Sequence, residues 1–210
     1  MLIDLRVYAY QPSRFREFLA IYGEKGFPLT TKHLGTTLGV FTGASGVANT
    51  TFQWFCYRDS THRDTCRAAL LSDPAWIDYV RQASPTIVQQ TNTLIVPTTF
   101  SALRDIEGIV PVSAGSPARL FELRSYVCFP GKLPTALEIL EHEGVALAHK
   151  YVENPIGYFL AETGVVNRIL MLWAYSSSAE RDRRWTAMRT DPAFKDLAAR
   201  MNACLDRKST

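Results

Sequence analysis

Several familiar signatures are missing from this chain of 210 residues, and each absence narrows what it can do. The longest apolar stretches are strand-length and interrupted, so no membrane span is expected. The opening MLIDLRVYAY mixes acid and base and alternates like a strand, so no secretory signal is expected either. No basic run interleaves with aromatics and the net charge is only +3, which argues against a nucleic-acid partner. There is no Gly-x-Gly-x-x-Gly, no P-loop and no Gly-x-Ser-x-Gly. The four cysteines, Cys56, Cys66, Cys128 and Cys204, form no Cys-x-x-Cys pair. They read as small apolar residues in a reducing, cytoplasmic compartment rather than zinc ligands. His142 and His149 are seven apart, which on one helix is about 10.5 Å, too far to share a metal. No metal and no cofactor is therefore expected.

What the chain does contain is a repeat. GVFTGASGVANT from Gly39 returns as GYFLAETGVVNR from Gly157, 118 residues later. At the same offset Leu5, Arg6 and Tyr8 fall on Leu123, Arg124 and Tyr126, Gly26 on Gly144, and Lys32 on Lys150. Arg63-Asp64 meets Arg181-Asp182, and Asp73-Pro74-Ala75 meets Asp191-Pro192-Ala193. Identity over this ungapped register is roughly 30%, which marks a duplicated module.

Each module reads as β-α-β-β-α-β. LIDLRVYAY is a strand, and Pro12 and Pro130 open the first helices. TLGVFTG and TTFQWFCY are the next strands, turned at Ser45-Gly46. Ser177 with Glu180 forms a capping-box pattern, while Asp73-Pro74 and Asp191-Pro192 restart helices. TNTLIVPTTF is the fourth strand of the first module. Thr210 aligns with Asn92, so the second module is expected to lack its last strand. The expected layout is a first module at 1–100, a linker at 101–118 and a second module at 119–210.

The fold class is thus α+β: two tandem ferredoxin-like βαββαβ modules forming a fused dimeric α/β barrel. Strand alternation supports the fusion. Leu170, Leu172 and Ala174 suit packing on helices, leaving Ile169, Met171, Trp173 and Tyr175 on the opposite face, where another sheet should cover them. The vacant edge of the second module would be filled by IEGIVPV, Ile106 to Val112, or by a neighbouring protomer. A homodimer is expected in either case.

The pattern KHLG…GVFTGASG…N…WFCY…LLSDPAW, with its counterpart GYFLAETG…N…LWAYSSSAER…DPAF, resembles the NIPSNAP family. The resemblance covers nearly the whole chain outside the linker. It implies a dimeric α/β-barrel fold with both halves in one chain, and it implies fold more than chemistry. The wider superfamily includes haem-binding enzymes, cofactor-free oxygenases and small-ring isomerases, an analogy that does not settle function. KHLG in the first copy is KYVE in the second, so His33 has Tyr151 as its counterpart.

The candidate pocket residues are Arg6, Tyr8, His33, Phe55, Tyr57, Arg124, Tyr126, Trp173 and Tyr175. All but His33 are placed by alternation between the two sheets. Arg6 and Arg124 could bind an anion or carbonyl, or could simply satisfy Asp4 and Glu122. His33 is a general base or haem ligand on one reading, and a helix-end residue bonding last-turn carbonyls on the other. Arg181, Arg183 and Arg184 read as a solvated helix face. No nucleophile–base pair stands out, so catalysis is left open. The expected function is a non-catalytic binding protein taking a small hydrophobic ligand or a partner at the barrel. The alternative is a cofactor-free or haem-dependent oxygenase or isomerase acting on an aromatic or polyketide-like substrate.

Overall fold

The computed structural model describes residues 1–107, 109, 119–152 and 154–209. The chain divides into two compact units, the first Met1–Ile95 with Asp105–Ile109, the second Val96–Arg104 with the described residues from 119 onward. The first unit holds β1 (Leu2–Tyr10), α1 (Phe15–Ile21), α2 (Phe27–His33), β2 (Thr36–Thr42), β3 (Thr50–Tyr57), α3 (Ser60–Leu71), α4 (Pro74–Ala83) and most of β4 (Ile87–Pro97). The second holds β5 (Leu120–Cys128), α5 (Leu133–Ile139), α6 (Val145–Tyr151), β6 (Asn154–Ala161), β7 (Arg168–Tyr175), α7 (Ser178–Thr190), α8 (Pro192–Asn202) and β8 (Leu205–Ser209).

The strand orders are β2-β3-β1-β4 and β6-β7-β5-β8, with every resolved ladder antiparallel. The expectation that the second module lacks its fourth strand is therefore corrected. Ser125 to Cys128 of β5 pair with β8, which also fills the edge assigned to the linker. In that linker Ile109 N–H donates to Ile106 O, a turn rather than a strand, and residues 108 and 110–112 lie outside the described residues. LDRKS does not read as a strand because its backbone makes the ladder while its sequence does not alternate like a buried strand.

Local chemistry explains the repeated motifs. In GVF and GYF the phenylalanine ring folds over the glycine two residues before it on the same strand face. A Cβ on Gly39 would come within 2.4 Å of Phe41, and one on Gly157 within 2.5 Å of Phe159. Both ladders slip register at this glycine. Asn49 and Asn167 both take left-handed backbone, φ 52° and 55°, and their carbonyls accept from Tyr10 N–H and Cys128 N–H.

Asp73 and Asp191 cap α4 and α8 by accepting from Ala75 N–H and Ala193 N–H. Ser177 caps α7, and Glu180 reaches back to Ser176 N–H, one residue beyond the standard box. Two helix starts differ from expectation. Pro12 begins a short 3-10 turn before α1, and the fifth helix opens at Leu133 with Pro134 in its first turn, because Gly131 (φ 79°) still belongs to the preceding turn. Each first helix is also broken by a π turn, at Tyr22–Gly26 and Leu140–Gly144, the same place in both copies.

The helices cover the face that carries the large aromatics, the reverse of the sequence expectation. Phe55 and Tyr57 pack with Leu34 and Leu70, and Tyr8 packs with Tyr10, Phe18 and Tyr79. Ile169, Met171, Trp173 and Tyr175 share a core with residues of α5 to α8. The alternate residues Leu170, Leu172 and Ala174 are equally buried. Since both faces are apolar and covered, hydrophobicity could not decide between them. What decides is that the carboxylates on the aromatic face, Asp4 and Glu122, find partners on the helices.

Candidate functional site

Those partners form two buried networks in the same register. In the first unit Asp4 is fully buried and accepts from Arg6 (2.9 and 3.2 Å), from Arg63 of α3 (3.1 Å) and from Asn92 of β4. In the second, Glu122 accepts from Arg181 of α7 (2.6 Å), Trp185 Nε1 (3.0 Å) and Tyr175 Oη (3.2 Å), with Arg124 Nε at 3.4 Å. Burial alone would raise the Glu122 carboxyl, but the Arg181 and Trp185 hydrogen bonds and the Arg124 charge hold it below its ordinary value. Arg6 and Arg124 thus belong to structural ion pairs, and Arg181 and Arg184 are engaged rather than solvated. Arg184 bonds Glu180 and Tyr151 O, which leaves Arg183 as the exposed member of that cluster.

The two networks differ in one respect that matters. Arg6 bonds its aspartate twice, whereas Arg124 makes no hydrogen bond to Glu122 and gives Nη1 to Tyr126 Oη at 3.2 Å. Its guanidinium lies 3.8 Å from the Trp185 ring centroid and 5.5 Å from that of Trp173. Such stacking contributes about 0.5–2 kcal/mol.

Beside Arg124 the second unit contains a cavity of ≈ 440 Å³ between β5–β7 and the helices α6–α8. Of the residues expected at a pocket, Arg124, Tyr126 and Trp173 line it together. Tyr175 turns instead to Glu122. Arg6, Tyr8, Phe55 and Tyr57 lie under the helices of the first unit. His33 Nε2 meets Asp73 Oδ2 at 2.8 Å, so it does sit at a helix end, but on a carboxylate rather than on carbonyls. Its counterpart Tyr151 donates to Asp191 at 2.6 Å in the same way.

Tyr158, Trp185 and the methionines Met171, Met188 and Met201 also line the cavity and were not anticipated. The register between the copies carried the signal. Tyr22 and Tyr79 of the first module correspond to Leu140 and Leu197, so two rings are replaced by smaller side chains where the cavity lies. In the first module those rings stand 6.3 Å apart, and Trp76 packs on Tyr79 at 4.9 Å. At the same time Val40 and Phe55 correspond to Tyr158 and Trp173, which adds a hydroxyl and an indole N–H.

Tyr158 Oη and Trp173 Nε1 are buried without a hydrogen bond. Burial pushes the Tyr158 phenol up to about 12, tempered by the neighbouring Trp173 N–H, and burial raises Tyr126 as well. Both phenols are therefore protonated at neutral pH. They serve the cavity as hydrogen-bonding groups, not as bases. Among the described residues no three His, Cys, Asp or Glu side chains gather as a metal site.

The sequence profile of the NIPSNAP family matches this chain twice, over residues 3–102 and 121–209. The chain belongs to the NIPSNAP family. It is 34% identical over 89 residues to a Protein NipSnap homolog of Dictyostelium discoideum, a match covering 42% of this chain and 39% of that relative's length. An uncharacterized NIPSNAP domain protein from Burkholderia xenovorans is 31% identical over 48% of this chain and 97% of its own, with a TM-score of 0.46. Across almost the whole chain the NIPSNAP tandem has the fold of a putative monooxygenase from Fusobacterium nucleatum: TM-score 0.64, 10% identity, 99% of this chain and 88% of that one. An anthrone oxidase-like protein matches similarly, with TM-score 0.60 and 12% identity over 99% and 88%. These likenesses establish a mixed α/β fold shared with such proteins. No helix among the described residues is long and apolar enough to cross a membrane.

Proposed function

We propose that this NIPSNAP protein is a non-catalytic binding protein that holds a small, largely apolar ligand in the cavity of its second module. The observation that carries the reading is the cavity itself. Its ≈ 440 Å³ falls within the range of about 300–1,000 Å³ typical of small-molecule sites, and its wall is aromatic and methionine-rich with a few polar tips. The protonated phenols and the paired Arg124 support binding rather than proton transfer. Homodimerisation and a cytoplasmic location belong to the same reading. Free cysteines at all four positions support the second, and size measurement in solution tests the first.

The test uses 1-aminoanthracene, a neutral apolar fluorophore. One molecule should bind per chain and be recovered unchanged after aerobic incubation. Placing the first module's tyrosines at the corresponding positions, Leu140→Tyr with Leu197→Tyr, should abolish binding while circular dichroism stays native. Absence of binding to the wild type refutes the reading. Oxygen-dependent conversion of an anthrone would replace it with an oxygenase function, the activity that the name of the anthrone oxidase-like neighbour suggests.

A further inference from the structure

The cavity's polar tips specify more than an apolar occupant. Trp173 Nε1 is a donor only, and the Tyr158 hydroxyl donates or accepts. Both residues are at least nine-tenths buried, at 5% and 3% exposure, and neither group makes a hydrogen bond of good geometry within the protein; the Trp173 N–H approaches the Tyr158 hydroxyl but does not satisfy it. A buried donor left unsatisfied destabilises the fold, so a pair at one cavity wall needs an explanation outside packing. The first module supplies the contrast. Its Val40 and Phe55 occupy the corresponding positions with no polar atom, so the fold does not require these tips.

Arg124 adds a third set of donors. Its Nε is buried without a hydrogen bond, 3.4 Å from Glu122 Oε1, and its Nη1 goes to Tyr126, while Glu122 is taken up by Arg181, Trp185 and Tyr175. Arg189, stacked 5.4 Å from the Trp185 centroid, is a second cation of the lining and an exposed one. Donors and positive charge thus meet on one side of the cavity, with no carboxylate lining it.

We propose, resting on the binding function above, that the ligand is an apolar monocarboxylic acid. Its carboxylate accepts from Trp173 Nε1–H, the Tyr158 hydroxyl and Arg124, and its body lies among Met171, Met188 and Leu197. No bond forms or breaks. The carboxylate replaces partners that the buried donors lack, and charge-assisted bonds of this kind are about twice as strong as neutral ones.

Calorimetry with decanoate and decanol on the full chain tests this, since the two share a body and differ in the head. Decanoate should bind one per chain and at least about tenfold tighter than decanol. Tyr158→Phe and Trp173→Phe should each weaken decanoate about tenfold and decanol less than about threefold. Unliganded Tyr158→Phe should be at least as stable as wild type, because the hydroxyl it removes has no partner. Equal affinity for decanoate and decanol overturns the carboxylate assignment and leaves the cavity reading standing. So does binding of 1-aminoanthracene with no binding of decanoate. Failure of all three probes overturns the cavity reading itself.

Discussion

Replacing Glu122 by glutamine tests whether a buried carboxylate organises the second module. The side chain is 4% exposed and receives bonds from Arg181, Trp185 and Tyr175, with Arg124 alongside. Glutamine keeps the shape but offers one acceptor oxygen and an NH₂ in place of two acceptors. At least one of Arg181, Trp185 and Tyr175 then faces another donor, and two arginines lose their counter-charge. Breaking a buried pair from one side costs about 3–5 kcal/mol. Arg181 is 26% exposed and can recover water, so the lower end, about 3 kcal/mol, is expected. Against a total stability of about 5–15 kcal/mol that is a large share. Urea unfolding followed by tryptophan fluorescence should show the midpoint fall with the slope unchanged. Combining Glu122→Gln with Arg181→Ala should cost clearly less than the sum of the single changes, because the two residues share one interaction. A loss below about 1 kcal/mol, the scale of a surface pair, would refute the claim that this carboxylate is structural.

Three further outcomes are expected. Gly157→Ala should cost about 1–3 kcal/mol, since its Cβ would meet the Phe159 ring at 2.5 Å and Ser101 Oγ at 2.7 Å, and unchanged thermal stability would contradict the glycine–phenylalanine fit. Gly26→Ala should destabilise more than Gly144→Ala, because the first Cβ meets the Tyr22 and Tyr79 rings at 2.6 and 2.7 Å while the second meets only the Leu140 Cδ2 at 2.9 Å; equal losses in parallel melts would argue against the looser packing of the second module. Asp73 is held at about 2 chiefly by His33, and Asp191 at about 2 chiefly by Lys150. A carboxylate lowered in the folded state adds stability above its unfolded value of about 4, lost as pH falls towards 2. Asp73→Asn with Asp191→Asn keeps the caps and removes the charge, so melting temperature should fall less between pH 4 and 2 than in wild type; an unchanged acid slope would remove these residues from the acid response.

Module order was legible because the duplication repeats the residues that make turns and caps. Gly39 and Gly157, Asn49 and Asn167, and Asp73 and Asp191 each do the same local work in the structure. The facing of the strands was not legible. Alternation separates Arg6, Tyr8, Phe55 and Tyr57 from Ile3, Leu5, Trp54 and Cys56, but both sets bury apolar surface, and a mixed polar–aromatic set looks like a pocket wall. The deciding residues, Arg63 and Arg181, lie about sixty positions away on helices. Their repetition was visible, yet nothing local says that an arginine on a helix is reserved for a strand carboxylate. The last strand was hidden for the opposite reason. LDRKS contributes backbone to β5, and backbone pairing leaves no side-chain signature.

The comparison between copies separates scaffold from site. Contacts that recur at the 118-residue offset hold in both units: the carboxylate bound by a strand arginine and a helix arginine, the lysine on the capping aspartate, and the π turn in the first helix. Because the π turns occur in both copies, they belong to the scaffold rather than to ligand binding. Four of the many differences fall together at one place. Tyr22, Tyr79, Val40 and Phe55 of the first module stand where the second has Leu140, Leu197, Tyr158 and Trp173, and all four of the latter line the cavity. The first two exchanges remove ring volume and the last two add hydrogen-bonding tips. A drift towards a merely looser core would have no reason to bury new polar atoms, each of which costs free energy when unpaired. Removal of two rings from the helix side together with gain of unsatisfied donors on the strand side is what a site for a polar-headed ligand requires, and it supports the proposal that the second module is the one that binds.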